Sequence, residues 1–184
     1  MHEGAFPSQD RGIVRLARFR RLAALVGASA LVLVVAVPGA AAAGPERSPN
    51  GTGSSTLLAG EYCSFAVQWD TLAATGQTLV FPVDGNGDQL VRIVGYVETR
   101  MTNLDSGASK LYGGGAREDL LFHADGTVSA TIDGAVIAAY GVPDVNGPSV
   151  WFYRGHLQDV VDNTFTATAH AFVGKAVNVC TDLG

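Results

Sequence analysis

The chain has 184 residues and a formal net charge of −5, with 47% hydrophobic and 16% charged side chains, a composition that suits one folded domain. The charge is uneven, because five arginines precede Ala43 while the remaining 141 residues carry 7 basic and 15 acidic side chains. This acidic balance argues against a nucleic-acid binder, whose affinity rests on Lys and Arg. The low charged fraction also argues against disorder.

The first 43 residues have the three-part pattern of a secretory signal peptide. Residues 11–21 are basic, residues 22–37 are almost wholly apolar, and an alanine run ends at Ala43. We therefore predict a signal-peptide helix over 1–43, cleavage after Ala43, and a mature protein that is extracellular or in the cell envelope. Membrane contact is then expected only through this segment before cleavage. An uncleaved N-terminal anchor is the alternative.

Residues 44–56 are rich in Gly, Pro, Ser and Thr and have no periodic apolar face. Such a composition is typical of a flexible spacer. The sequence therefore predicts three parts: a signal peptide at 1–43, a flexible spacer at 44–56 and a folded domain at 57–184.

From residue 61 onward, apolar side chains alternate with polar ones, the period of a half-buried strand. Cys63, Phe65, Val67 and Trp69 share one face of the first strand. Asp125-Gly126 and Asp133-Gly134 are read as hairpin turns between later strands. The expected strands are at 61–70, 78–83, 90–102, 110–112, 118–123, 127–132, 135–140, 150–158, 164–173 and 177–180.

Short strands at spacings of roughly ten residues, with no helical period after residue 43, predict an all-β fold. We expect a single antiparallel β-barrel of about eight strands, with a β-sandwich as the alternative. No helix is expected in the mature chain.

The two cysteines, Cys63 and Cys180, lie in the first and last predicted strands. Export to an oxidising compartment allows them to form a disulfide. The bond would bring the terminal strands to within about 7 Å, which would help to close a barrel. Closing so long a loop would contribute at most about 4.7 kcal/mol in the chain-entropy model.

Several segments resemble a group of uncharacterised small secreted proteins of actinobacteria. They are Arg117 to His123 (REDLLFH), the Gly134 region, Arg154-Gly155-His156-Leu157, and the terminal VNVCTDL at 177–183. The resemblance covers most of 63–183 and implies export and a disulfide between the terminal cysteines. It implies no activity and transfers no catalytic residue. Val179 replaces the aspartate usual in the group before the final cysteine, which puts any role of that acid in doubt.

Two histidines and an aspartate are the candidate catalytic groups. A hairpin about Asp162-Asn163 would place His156 opposite residue 169 or 170, and therefore near His170, with Asp159 close by. An imidazole can act as a general base near neutral pH. The alternative is that both histidines lie on the polar outer face of the sheet.

Three aromatic residues in succession, Trp151, Phe152 and Tyr153, are the candidate ligand-binding residues. Alternation places rings on both faces of their strand, so one face must carry rings outside the main core unless the strand is covered on both sides. A small barrel of about eight strands can hold one ligand. Core packing is the alternative role for these rings.

No pattern predicts a metal or a cofactor. Asp84, Asn86 and Asp88 resemble the start of a calcium loop, but Gln89 and Gly95 stand where such a loop needs Gly and Glu, so a plain turn is expected. Glu118 and Asp119 are neighbours that should point to opposite faces of a strand and could not act jointly on one glycosidic bond. Nucleophile motifs are likewise missing.

The leading hypothesis is therefore a secreted, non-enzymatic protein that binds a small, largely apolar molecule inside or at the mouth of a barrel. One alternative is an isomerase or cyclase with an allene-oxide-cyclase-like or dirigent-like barrel, folds to which the expected architecture is only loosely similar. Another alternative is a cell-surface adhesion or structural module. Ligand and oligomeric state do not follow from the sequence.

Overall fold

A computed structural model describes residues 44–184. The predicted signal peptide, its cleavage site and the anchor alternative lie outside the described residues. Eight strands and one short helix follow in chain order: β1 Glu46–Pro49, β2 Gly53–Leu57, β3 Val67–Val80, β4 Gln89–Asn103, β5 Ser109–Phe122, β6 Val128–Tyr140, β7 Ser149–Val161, β8 Ala167–Asn178 and α1 Val179–Leu183. Within this part of the chain no helix is long and apolar enough to cross a membrane.

All eight strands belong to one antiparallel sheet, so the prediction of an all-β fold with about eight strands is confirmed. Strands β3 to β8 form an uninterrupted meander in which each strand pairs with the next. Sequential pairing follows from the short turns, because a few residues suffice to join antiparallel neighbours.

The expected closure into a barrel is not confirmed. Within residues 44–184, no ladder joins β8 to β1, β2 or β3. The two ends of the sheet are instead linked by the predicted disulfide between Cys63 and Cys180, whose Cα atoms lie 5.4 Å apart. Cys180 lies in α1 rather than in a strand, so the prediction of no helix after residue 43 is wrong. The Asn178 side chain accepts a hydrogen bond from the Thr181 backbone N–H and caps this helix.

The predicted flexible spacer at 44–56 is corrected by the structure. Its residues form β1 and β2, which pair with the two halves of β3 and so extend the sheet. Between them, the Asn50 side chain donates to the backbone oxygens of Thr75 and Val94 at 3.0 and 3.3 Å. The segment lacks an apolar periodicity because it lies at an edge, where backbone pairing does not require buried side chains.

A line of small residues crosses the sheet at right angles to its strands. Gly76 pairs with Gly95, which pairs with Ala116, and the line continues through paired glycines at 134, 155 and 174. At Gly134 the backbone has φ +123°, and an added Cβ would lie 2.3 Å from the Gly115 backbone oxygen. At each of the five glycines of this line an added Cβ would lie within 2.3 Å of a backbone oxygen, so only glycine fits at those five positions. We call this line the crease.

The crease divides each long strand into a proximal half, toward the disulfide, and a distal half. Tyr140 pairs with Ser149, ten residues before Asp159 on β7. A straight strand would place those two positions about 33 Å apart. The Tyr140 hydroxyl nevertheless donates to Oδ2 of Asp159 at 2.7 Å. The distal half is therefore folded back over the proximal half.

Two hydrophobic cores result from this folding. The first is enclosed by β2, the proximal strand halves and α1, and includes Trp69, Met101, Tyr112 and Phe152. The second lies between the proximal and distal halves of β6 to β8, and its buried members are Ile132, Val136, Ala138, Tyr140, Tyr153, Leu157 and Ala167. The proximal part of β6 is consequently buried on both faces from residue 135 to residue 140.

The crease also explains the strand boundaries that the sequence predicts wrongly. Asp125-Gly126 lies in the turn between β5 and β6, as predicted, whereas Asp133-Gly134 lies within β6. The predicted strands at 127–132 and 135–140 are thus the two halves of one strand. Gly174 likewise lies inside β8. The sequence alone does not distinguish a glycine at a bend within a strand from a glycine in a turn between two strands.

Candidate functional site

A cavity of about 60 Å³ lies within the first core, on the side near the crease. Its walls come from β3 to β7 and from the Asn50-Gly51 link between β1 and β2. Aromatic and aliphatic side chains form most of the lining, with Trp69, Tyr112 and Phe152 as the rings. The cavity is the part of the described chain where apolar walls, unpartnered polar atoms and a carboxyl group with a shifted pKa occur together.

The carboxyl group of this cavity belongs to Glu118, in the distal half of β5. Burial raises the pKa of Glu118 to about 7, and no hydrogen bond or ion pair engages its side chain within residues 44–184. The adjacent Asp119 is different, because hydrogen bonds from Arg92 and Arg117 lower its pKa to about 2. Functional sites often contain two carboxyl groups whose pKa values are shifted in opposite directions, so that one stays ionised and the other can hold a proton near neutral pH.

Two further polar atoms at the cavity walls have no partner. The indole Nε1–H of Trp69 and the Oγ1 hydroxyl of Thr71 are buried and make no hydrogen bond to any residue of 44–184. Both residues lie on β3, two positions apart and therefore on one face, and both line the cavity. A buried polar group without a partner costs about 1–3 kcal/mol. These two unsatisfied groups are consistent with a site for a hydrogen-bonding molecule.

Glycines and a short link leave room for the cavity. Gly113 and Gly114 of β5 line it without contributing side chains. An added Cβ at Gly114 would lie 2.4 Å from the Ala135 side chain, so larger residues are excluded there. On the β3 side, Asn50 holds the link in place through its hydrogen bonds across the crease, including one from the Thr78 hydroxyl.

The predicted catalytic residues fall into two separate places. Asp159 and His170 are directly paired across β7 and β8, and Nδ1 of His170 lies 2.7 Å from Oδ1 of Asp159. The Tyr140 hydroxyl donates to the other oxygen of this buried carboxylate, and burial raises the pKa of Tyr140. This cluster belongs to the second core and does not line the cavity.

His156 does not join His170, because the predicted register is wrong by three or four residues. His156 pairs with Val173, because the turn after β7 runs from residue 162 to residue 166 instead of reversing at 162–163. Phe165 in this turn has φ +63°, a left-handed conformation that a bulky side chain rarely adopts and that the sequence therefore does not predict. Nδ1 of His156 lies 2.7 Å from Oδ1 of the exposed Asp133, on the opposite face of the sheet from Asp159.

The three consecutive aromatic residues are split between the two cores. Phe152 lines the cavity and packs against Tyr112, with ring centroids 5.2 Å apart. Tyr153 is buried in the second core against Phe172, and Trp151 stacks on Tyr153. The indole N–H of Trp151 donates to the Ser149 hydroxyl at 2.8 Å. Only Phe152 of the three is thus a cavity residue.

A second depression lies over the disulfide and has a volume of about 390 Å³. It is larger and more open than the cavity, and its lining includes Tyr62, Pro148 and Asn178. No acid or histidine and neither of the two unpartnered atoms belongs to this lining. We therefore regard the cavity, rather than this depression, as the candidate site.

The acidic side chains between β3 and β4 stabilise the turn through hydrogen bonds to backbone N–H groups. Oδ1 of Asp84 accepts hydrogen bonds from the backbone N–H groups of Asn86 and Asp88 at 2.8 and 3.0 Å. Oδ1 of Asp88 accepts from the Ala124 N–H and so ties this turn to the next one along the sheet edge. Among the described residues, no group of three or more His, Cys, Asp or Glu side chains is placed to hold a metal ion.

Comparisons of the chain with protein-family models, with curated proteins and with solved structures found no match. The function must therefore be inferred from the residues and the geometry.

The sequence pattern contains only weak indications that Trp69 and Glu118 line a cavity. Trp69 is predicted to share a buried face with Cys63, but nothing in the pattern separates a cavity ring from a packed one. Glu118 is noticed only as a neighbour of Asp119. Its period-two position, on the same face as Tyr112, was the available signal that this acid points inward.

Proposed function

We propose that the chain is a secreted, single-domain β protein that binds a small, largely apolar molecule without transforming it. The observation that carries this proposal is the pair of unpartnered groups, Trp69 Nε1–H and Thr71 Oγ1–H, at one apolar cavity. A bound molecule with an acceptor oxygen would satisfy these groups, and its apolar part would contact the surrounding rings.

The cavity volume limits the ligand to a few heavy atoms, or to the end of a longer molecule. A cavity of about 150 Å³ holds benzene, whereas sites for drug-sized ligands reach about 300–1,000 Å³. At about 60 Å³ this cavity is smaller than either. A compact molecule of about four heavy atoms is therefore the appropriate probe.

Secretion and the architecture around the cavity complete the proposal. The signal-peptide pattern of residues 1–43 and the disulfide both favour an oxidising, extracellular location. For the architecture, we favour an open barrel in the proximal half, because residues from β3 to β7 surround one core. The distal half covers this open barrel on the side of β6 to β8.

A second candidate function is that of an isomerase or cyclase, favoured by the buried Asp159, His170 and Tyr140 cluster. An acid that orients a histidine is a common element of general acid–base sites. However, these side chains do not line the cavity, so no substrate position beside them is available there. We therefore assign the cluster to holding the distal half against the proximal half.

The adhesion-module alternative receives less support. Its expected feature is a broad exposed aromatic patch. Among the exposed large hydrophobic side chains of residues 44–184, Tyr96 is the single aromatic one, and the others are Leu or Val.

The proposal is tested by nuclear magnetic resonance on the oxidised mature protein, with acetamide as a compact probe that carries an acceptor oxygen. The protein has two tryptophans, so Trp151→Phe identifies the Trp69 indole signal. We expect saturable movement of the Trp69 signal while the Trp151 signal stays in place.

The variant Thr71→Val should weaken acetamide binding because it removes one hydrogen-bonding group and keeps the side-chain shape. Thr102→Val is the matched control, since Thr102 is also on a proximal strand half but does not line the cavity. An unchanged Trp69 signal at saturating probe, or equal weakening in both variants, would contradict the proposal.

A further inference from the structure

The cavity has an unusual charge balance. Glu118 is the one ionisable acid of its lining, and none of the lining residues is Lys, Arg or His. Three other carboxylates with at most about a quarter of the side chain exposed do have partners: Asp159 contacts His170 and Tyr140, Asp119 contacts two arginines, and Asp182 contacts Lys110 and Tyr112. Glu118 is half-buried, and a carboxylate partly removed from water without a counter-charge is unfavourable.

Within residues 44–184 no basic side chain pairs with the Glu118 carboxylate. Arg154 touches two lining residues, but its guanidinium donates to the Gly113 backbone oxygen at 2.8 Å and lies over the Phe152 ring. The cross-strand partners of Glu118 are Ile93 on β4 and Ile132 on β6, both apolar. Its chain neighbours, Arg117 and Asp119, bond to each other. The other titratable side chain of the lining, Tyr112, donates its hydroxyl to Asp182. A cation reaching Glu118 would therefore have to come from a bound molecule.

The remaining walls also suit a cation. Trp69, Tyr112 and Phe152 line the same cavity, and the faces of aromatic rings attract positive charge. One ring already does so, because the Arg154 guanidinium carbon lies 5.1 Å from the Phe152 ring centroid. The mature chain also has more than twice as many acidic as basic side chains, which favours the approach of cations over anions.

We propose that the ligand of the cavity is a small amine that also carries an acceptor oxygen, such as an amino alcohol, with its ammonium group paired to the Glu118 carboxylate. The oxygen would accept from Trp69 Nε1–H or Thr71 Oγ1–H, so this inference rests on the proposed binding function. It replaces the largely apolar ligand by a more polar one, in which a short carbon chain between the ammonium group and the oxygen contacts the rings. Association forms hydrogen bonds and an ion pair only, and no covalent bond changes.

Three probes of four heavy atoms separate charge from size. Ethanolamine is cationic, ethylene glycol is neutral with nearly the same shape, and acetate is anionic. We expect ethanolamine to move the Trp69 indole signal with a dissociation constant no tighter than about 40 µM, the ceiling for so small a ligand. Ethylene glycol should bind at least tenfold more weakly and acetate more weakly still.

The matched variants are Glu118→Gln and Glu61→Gln. Both remove one negative charge, but Glu61 is exposed and does not line the cavity. Ethanolamine affinity should fall at least tenfold in Glu118→Gln and stay within twofold in Glu61→Gln. If Glu118→Gln keeps its ethanolamine affinity, or if ethylene glycol or acetate binds the wild-type protein as tightly as ethanolamine does, the amine inference is overturned while the binding function stands.

A pH series on the unmodified protein gives a second, independent measurement. Ethanolamine stays protonated between pH 6 and pH 8, so a change in its affinity reports on the protein. Because a pKa near 7 makes a proton compete with the ammonium group at Glu118, ethanolamine should bind about tenfold more weakly at pH 6 than at pH 8. A flat profile overturns the amine inference. Failure of all probes, acetamide included, to move the Trp69 signal refutes the amine inference and the binding function together.

Discussion

The unpartnered carboxyl of Glu118 should make the empty protein less stable at alkaline pH. Burial raises the pKa of Glu118 from 4.5 to about 7. Since the folded state holds this proton more tightly than the unfolded chain does, the contribution is most favourable below pH 4.5. It is lost as pH rises toward 7 and changes no further above that value.

The magnitude follows from the size of the shift. Each pKa unit corresponds to about 1.36 kcal/mol, so ionisation of Glu118 should lower the free energy of unfolding by about 3 kcal/mol at pH 8. Glutamine has the same shape without the charge. Glu118→Gln should therefore be more stable than the wild-type protein at pH 8 and close to it at pH 4.5.

Urea denaturation of the oxidised protein, in the absence of amines, measures this difference at several pH values. Subtracting each variant from the wild-type curve cancels the titration of all other groups, and Glu61→Gln provides the control for a lost exposed charge. A difference between wild type and Glu118→Gln that stays constant from pH 4.5 to pH 8 would refute the placement of Glu118 in a desolvated cavity. The same result would remove the basis for its role in binding.

Three further predictions concern the fold. Replacing both Cys63 and Cys180 by alanine should lower the free energy of unfolding by up to about 4.7 kcal/mol, because the bond closes a very long loop; calorimetry that shows no loss would contradict this. Gly134→Ala should lower the free energy of unfolding by more than about 2 kcal/mol, because its Cβ would lie 2.3 Å from a backbone oxygen. Gly115→Ala is the control and should be tolerated, since the nearest atom to its Cβ would be 3.5 Å away. Equal melting temperatures of the two variants would disprove the crease geometry. Tyr140→Phe should lower the free energy of unfolding by about 1.5–3 kcal/mol, because it deletes a hydrogen bond to the buried Asp159 carboxylate. Denaturant unfolding measures this loss. An unchanged free energy would mean that this bond does not hold the distal half against the proximal half.

Period-two alternation was sufficient to predict the fold class and much of the first core. Cys63, Phe65, Val67 and Trp69 were predicted to share a face, and all four are buried together. The disulfide was predictable because only two cysteines are present, at the two ends of the strand series. Side-chain alternation and the number of cysteines can be read from the sequence without knowing how distant segments pack together.

The candidate site could be predicted only in fragments. Phe152 was identified as a ligand-binding residue, and it lines the cavity. The Asp159 and His170 pair was anticipated in part, but the register that brings them together depends on a turn with a positive φ at Phe165. One residue more or less in a turn changes every facing pair, so the pairing of histidines predicted from the sequence was wrong.

The sequence by itself determined the all-β fold class, the disulfide and the face shared by Cys63, Phe65, Val67 and Trp69, because those depend on neighbours along the chain or on the number of cysteines. Only the tertiary structure decided that glycines at 76, 95, 134, 155 and 174 align across neighbouring strands. Their alignment bends the sheet and folds the distal half back, which buries the proximal part of β6 on both faces. Such a bend requires the glycines of adjacent strands to coincide, and that coincidence is set by strand register rather than by any local pattern.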